Sequence, residues 1–160
     1  MTKGDNEMGE NDYSKEIEVI KNPENIREAV YASSPYVLKK AFENDLTVNR
    51  LIRAGQKVVP LIAKELEANG LKLPEITLAC FAYILQEVDL KCASEILKPL
   101  FAQATEKPGP FFVHFATHSL RQAVKLPVKF PDMAYTKAEL SETLEQIKHP
   151  VQGGKEGKNA

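Results

Sequence analysis

Residues 57–69 read KVVPLIAKELEAN and residues 74–88 read PEITLACFAYILQEV, and these two stretches decide the fold. In the first stretch apolar residues recur three, four and seven positions apart, at Val59, Ile62, Ala63 and Leu66. Because an α-helix completes a turn every ~3.6 residues, this spacing places all of them on one face. The first stretch therefore predicts a helix with one buried side.

The second stretch is apolar on nearly every side of the helix that it predicts. The same spacing recurs in it at Leu78, Phe81, Ala82 and Leu85, and other apolar residues fill the remaining faces. A helix of this kind is buried between neighbouring elements. Asn69 and Gly70 separate the two stretches and tolerate the left-handed backbone that ends a helix. Together the stretches predict a helical hairpin.

The pattern of this hairpin returns further along the chain. An offset of 34 residues carries the apolar face of the first helix onto Ala93, Ile96, Leu97 and Leu100. An offset of 35 residues carries the second helix onto Val113, Ala116, Thr117 and Leu120, of which only Thr117 is polar. A two-helix unit that repeats at this length is typical of proteins built from stacked hairpins.

The segment Val58–Leu66, with its proline at Pro60, resembles the first helix of HEAT repeats, which a proline bends. The resemblance covers about half of the chain. It implies an all-α fold, a short right-handed α-solenoid of stacked helical hairpins whose second helices line a concave surface. The chain departs from the family pattern in three places. Asn69-Gly70 replaces the usual Asp of the turn, no Arg opens the following helix, and the second unit carries its proline later, at Pro99.

One helical-repeat domain is predicted over residues 14–148. Residues 1–13 and 149–160 are predicted to be disordered tails, because they are polar, rich in Gly and Asn, and without periodicity. Helix starts are predicted at Asn22-Pro23, Ser34-Pro35 and Pro74, where proline occupies a position whose N–H needs no helical partner.

Two further pieces complete the predicted domain. Ser34–Asn44 and Leu46–Ala54 are expected to form a shorter first hairpin that Gly55 closes. After the prolines that follow Leu126, Thr136 and Glu139 have the spacing of a capping box and predict a last helix that ends near Lys148. Its narrow apolar stripe suggests that it covers the open end of the stack.

Charge and composition exclude several classes of protein. The formal net charge is −1, so no overall positive field attracts a phosphate backbone, and this argues against nucleic acid as a partner. No run of apolar residues is long enough for a membrane span or a secretory signal, which predicts a cytoplasmic protein. Cys80 and Cys92 lie within apolar helical patterns, which indicates reduced thiols packed in the core.

A stripe of polar residues on the last predicted repeat helix is the main candidate site. His114, His118, Arg121 and Lys125 lie four, seven and eleven positions apart, opposite the apolar face. The repeat offset places Tyr83 and Gln86 beside them on the preceding second helix. In a HEAT-like solenoid these six residues would line the groove that binds a partner; the alternative is an ordinary solvated face.

The sequence predicts no catalytic residue, no cofactor and no metal site. His114 and His118 could share a metal ion, but their helix offers no third ligand at a suitable spacing. The predicted function is therefore a non-enzymatic protein–protein interaction module, a monomer or weak homodimer that binds another protein. The alternative is a helical-repeat enzyme or a metal- or ligand-binding protein that uses the two histidines.

Overall fold

The computed structural model describes residues 13–106, 111–129 and 134–149, and every regular element in these ranges is helical. The predicted all-α class is confirmed for these ranges. The α-helices are α1 over residues 13–20, α2 Pro35–Glu43, α3 Leu46–Ala54, α4 Val59–Asn69, α5 Glu75–Val88, α6 Leu90–Ala104, α7 Phe112–Ala123 and α8 Lys137–Lys148. Short 3₁₀ turns lie at Pro23–Asn25, Ala29–Tyr31, Gly55–Val58 and Gly70–Lys72.

Local side-chain caps explain where α2, α3, α6 and α8 begin. The Ser34 hydroxyl accepts a hydrogen bond from the amide of Val37 at 3.3 Å and starts α2, with Pro35 in the first turn. Thr136 and Glu139 form the predicted capping box at the start of α8, each side chain accepting from the other's backbone amide. Each such cap contributes about 1 kcal/mol and fixes the helix boundary.

Two prolines do not act as predicted. Pro60 lies in the first turn of α4, where its missing N–H leaves no hydrogen bond unmade, so it begins the helix and does not bend it. Asn22 and Pro23 begin only the 3₁₀ turn Pro23–Asn25. The one proline inside a helix interior among the described residues is Pro99 in α6.

Helix α5 lies at the centre of the core. Nine consecutive residues, Thr77 to Leu85, are buried, and the helix packs against α3, α4, α6 and α7. The apolar faces predicted for the two second helices are buried without exception, including Thr117, whose hydroxyl donates to the carbonyl of Val113. Burial of each large side chain in this layer contributes about 1.5–3 kcal/mol, so α5 holds the domain together.

The remaining helices lie around this centre. Helix α7 packs against both α5 and α6, and α8 contacts α7 and α6 of the last hairpin. Gly70 ends α4 with a φ of 50° and a ψ of −133°, a positive-φ conformation suited to glycine that lies outside the left-handed helical region predicted for the Asn69-Gly70 pair. The predicted tails fall outside the described residues, except that Tyr13 already belongs to α1 and His149 directly follows α8.

Candidate interaction face on helix α7

The first turn of α7 is held by a carboxylate from another helix. Oε2 of Glu75, in the first turn of α5, accepts hydrogen bonds from the backbone amides of Phe111 at 2.8 Å and Phe112 at 2.6 Å. Phe111 provides no side-chain cap of its own. Glu75 therefore satisfies two amides that would otherwise lack partners and places a negative charge at the positive end of the α7 dipole.

The polar stripe predicted on α7 is largely covered by the chain itself. Arg121 is only 3% exposed, and His114 and His118 are partly buried. The covering residues come from the segment that follows α7 and from α8. The prediction that this stripe faces solvent is therefore wrong for Arg121, and only the exposed Lys125 at its end fits the prediction of a wet face.

Tyr135 lies against both histidines. Its backbone amide donates to Nδ1 of His114 at 3.2 Å, and its hydroxyl oxygen lies 3.4 Å from Nδ1 of His118. The rings of His114 and Tyr135 stack with centroids 6.4 Å apart. An imidazole nitrogen that accepts a hydrogen bond must carry no proton, so His114 is neutral on Nδ1 in this arrangement.

Burial keeps both imidazoles in the neutral form. It lowers the pKa of His114 below the ordinary range, assisted by the positive charge of Lys129. Burial, together with the charge of Lys39, lowers the pKa of His118 to about 4. Withdrawal from water disfavours the charged imidazolium, so neither histidine is poised to exchange a proton near neutral pH.

Arg121 is the centre of the contact between α7 and the C-terminal segment. Its Nε donates to the carbonyl of Pro127 at 2.7 Å, and its Nη1 donates to the Glu142 carboxylate at 2.7 Å and to the Thr143 hydroxyl at 3.1 Å. The carbonyl of Glu139 lies within reach of the same nitrogen, at 3.3 Å. Such a fork of donors suits several acceptors at once and gives the buried charge its partners.

Tyr83 and Gln86 are also engaged inside the molecule. Tyr83 is 6% exposed, and its ring packs against Phe42 of α2 and Phe115 of α7, with centroids 5.7 and 6.5 Å away. Gln86 accepts a hydrogen bond from the Ser119 hydroxyl at 2.8 Å, which joins α5 to α7. The structure thus brings five of the six predicted residues into internal contacts, and the expected open groove at Tyr83 is filled by α2.

Lys125 ends helix α7 through the conformation of its backbone. Its φ is 65°, and its amide and that of Leu126 donate to the carbonyls of Gln122 and Arg121, at 3.3 and 2.8 Å. This pair of bonds is the Schellman pattern that closes a helix C-terminus. The left-handed residue turns the chain back toward Arg121, so the segment after α7 meets the polar stripe.

Sequence reasoning missed the occupant of this face. Glu142, Thr143 and Tyr135 are the residues that complete it, and none of them stood out by type or spacing. The capping box at Thr136 and Glu139 located α8 correctly, and the distance from α7 to α8 along the chain was short. That proximity and the narrow apolar stripe of α8 were the available signals that the two helices meet.

The alternative prediction is a metal- or ligand-binding site that uses His114 and His118. No group of three or more His, Cys, Asp or Glu side chains in the described ranges has the arrangement to hold a metal ion. Cys80 is buried and Cys92 partly buried, and the pKa of each thiol is raised, by burial for Cys80 and by the hydrogen bond to Asp89 for Cys92. Metal binding by His114 and His118 stays a prediction that elemental analysis of the purified protein tests.

A pocket of about 470 Å³ opens beside the first turn of α7. Its walls are Leu71, Leu73, Glu75, Leu78, Gln103, Ala104, Glu106, Phe112 and Val113. The carboxylate of Glu75 is already bound to the two α7 amides, so the acid at this side of the pocket serves as a structural cap, and Glu106 is the other carboxylate in the lining.

No family model matches the chain, and comparison with curated proteins and with solved structures gives no match either. Among the helices that the structure describes, none combines the length and the apolar character required to cross a membrane.

Proposed function

We propose that this protein is a non-enzymatic interaction module, a short right-handed HEAT-like α-solenoid that binds another protein. The packing of α5 against both α3 and α7 supports the solenoid arrangement, because these are the second helices of three consecutive hairpins. The resemblance of Val58–Leu66 to a HEAT helix supports the same arrangement. A stack of this kind presents long surfaces with its loops at either end.

The observation that carries the proposal is a group of exposed apolar side chains between residues 30 and 46. These side chains are Val30, Tyr31, Tyr36, Val37 and Leu46, and Tyr31 and Leu46 are 84% and 80% exposed. We name them the 30–46 surface. Val30 and Tyr31 line one hollow and Leu46 lines a second, and both exposed apolar patches and tyrosine are enriched at sites of protein contact.

The backbone beside the 30–46 surface supports this assignment. Glu28 has a φ of 68°, a left-handed conformation that is uncommon for a residue other than glycine. Arg27 and Glu28 line two adjacent hollows, one shared with Val30 and Tyr31 and the other with Leu46. Strained residues of this kind concentrate at functional segments. The hollows and the apolar side chains together form a surface that a partner chain can fill.

Site-specific photo-cross-linking in the native cell tests the proposal. A benzophenone amino acid at position 31 in the full chain should yield a discrete cross-linked product with another protein. The matched control carries the same group at Lys64, which is exposed on α4. Identical products from both positions, or none from position 31, would contradict the proposal. Light scattering on the same sample tests whether the chain alone is a monomer or weak homodimer.

A further inference from the structure

Helix α8 packs against α7 and α6 with little burial of apolar surface. Thr143 is its one buried residue, while Leu140, Leu144 and Ile147 are only partly buried against the core. A hollow of about 400 Å³ remains between the end of α6 and the inner side of α8. Elements with few buried apolar contacts open at a lower free energy than the core does.

Tyr135, just before α8, is 5% exposed, and the polar contacts of Arg121 supply the rest of the attachment. When α8 leaves, the guanidinium of Arg121 returns to water and recovers the hydration that it lost on burial. A buried ion pair therefore contributes little net stabilisation, although it strongly selects the geometry of its partner. Glu142, the partner carboxylate, is itself 54% exposed. The contact is thus specific in its chemistry, and its carboxylate remains open to water.

We infer that the face of α7 formed by His114, His118 and Arg121 is a docking site for an acidic amphipathic helix of a partner protein. Residues 134–148 of the chain occupy this site as an internal competitor. The inference does not rest on the 30–46 surface, which belongs to another part of the chain.

The seated segment shows which chemistry the site accepts. An aromatic residue in the position of Tyr135 contacts the two neutral imidazoles. The helix that follows presents a carboxylate, as Glu142 does, to the fork of Arg121, with a hydroxyl residue beside it. A narrow apolar stripe completes the contact, which is the helix-in-groove mode of recognition. A basic helix is excluded because it would leave the guanidinium of Arg121 without an acceptor.

A labelled synthetic peptide of residues 134–149 tests the inference by fluorescence anisotropy with the full-length protein. The variant Glu142→Gln with Thr143→Val weakens the internal competitor and leaves the α7 face unchanged. We expect this variant to bind the peptide at least ~10-fold more tightly than the wild type does, because a tethered competitor acts at millimolar effective concentration. A control variant, Glu145→Gln with Lys148→Gln, alters exposed residues of α8 that lie outside the hollow between α6 and α8 and should match the wild type.

Two further measurements separate the alternatives. Adding Arg121→Met to the weakened variant should abolish peptide binding, and circular dichroism should show that its helices remain. Peptide binding that is no tighter in the weakened variant than in the wild type would overturn the inference. A concentration-dependent dimer of the weakened variant would also overturn it, because the occupant would then be the segment of a second copy.

Discussion

Helices α5 and α8 are of similar length, yet they are held in the molecule by different forces. Helix α5 buries nine consecutive residues, whereas α8 buries Thr143 alone. The first is fixed by apolar packing on all sides, and the second by a buried arginine with its acceptors. The difference shows that one small domain can combine a helix that is buried on nearly all sides with a helix that buries a single residue.

The largest expected change in stability follows from a substitution in the core, and it tests the contrast between α5 and α8. Leu85→Ala removes a fully buried side chain of α5 and should lower the free energy of unfolding by about 2–5 kcal/mol. The matched change Leu144→Ala on the partly buried face of α8 should cost less than about half as much. Urea denaturation of the two variants measures both values. Equal losses would show that α8 is as much a part of the core as α5 is.

The second prediction concerns how protein stability depends on pH through His118, which contacts the C-terminal segment at Tyr135. Burial holds the pKa of His118 at about 4, whereas the unfolded chain has the ordinary value near 6.5. The unfolded state therefore binds the proton first, so stability is complete above pH 6.5 and falls as the pH drops toward 4, by up to about 3 kcal/mol. His118→Gln should flatten this slope in thermal melts, while His149→Gln, at an exposed position, should retain it. An unchanged slope in His118→Gln would contradict the assignment.

A smaller effect is expected where α5 caps α7. Glu75→Gln removes the charge that faces the α7 dipole and weakens the bonds to Phe111 and Phe112, so it should cost about 0.5–2 kcal/mol. The comparison is Glu95→Gln on the exposed side of α6, which should change stability by less than about 0.5 kcal/mol. Both are measured by urea denaturation, and indistinguishable midpoints would mean that the cap contributes nothing.

The smallest predicted change is a gain. Lys125 is left-handed, and glycine adopts this conformation without steric cost, so Lys125→Gly should stabilise the protein by up to about 1 kcal/mol. Gln122→Gly, also exposed but inside α7, should destabilise it by about as much. Opposite shifts in melting temperature are the expected result, and a loss in both variants would show that the Lys125 side chain matters more than its backbone.

The sequence predicted the helices well because their signals are local. The apolar faces of α5 and α7, the cap at Ser34 and the capping box of Thr136 each depend on residues within about two turns of one another. All of these are confirmed in the described residues. The prediction for Pro60 was wrong because the sequence alone does not show whether a proline lies in the first turn of a helix or in its interior. The 3₁₀ turn that precedes α4 has no distinctive sequence pattern.

The candidate site was predicted less well because its outcome depends on distant contacts. His118 and Arg121 have the same helical spacing whether they face water or another polar segment. Helical periodicity does not distinguish these two environments, because they depend on the path that the chain takes after Lys125. Filling of the space at Tyr83 by Phe42 is likewise a contact between separate helices. His114 and His118 both contact Tyr135, whereas Tyr83 and Gln86 contact other residues, and these surroundings were not deducible from the sequence.

The cap on α7 also constrains the order in which the protein can assemble. Glu75 precedes the amides that donate to it by 36 and 37 residues, so the carboxylate is synthesised before the helix that it caps. Synthesis runs from the N-terminus, and helices formed early can serve as templates for later ones. The α4–α5 hairpin is therefore complete along the chain before α7 is made, and it carries the carboxylate that caps the last hairpin.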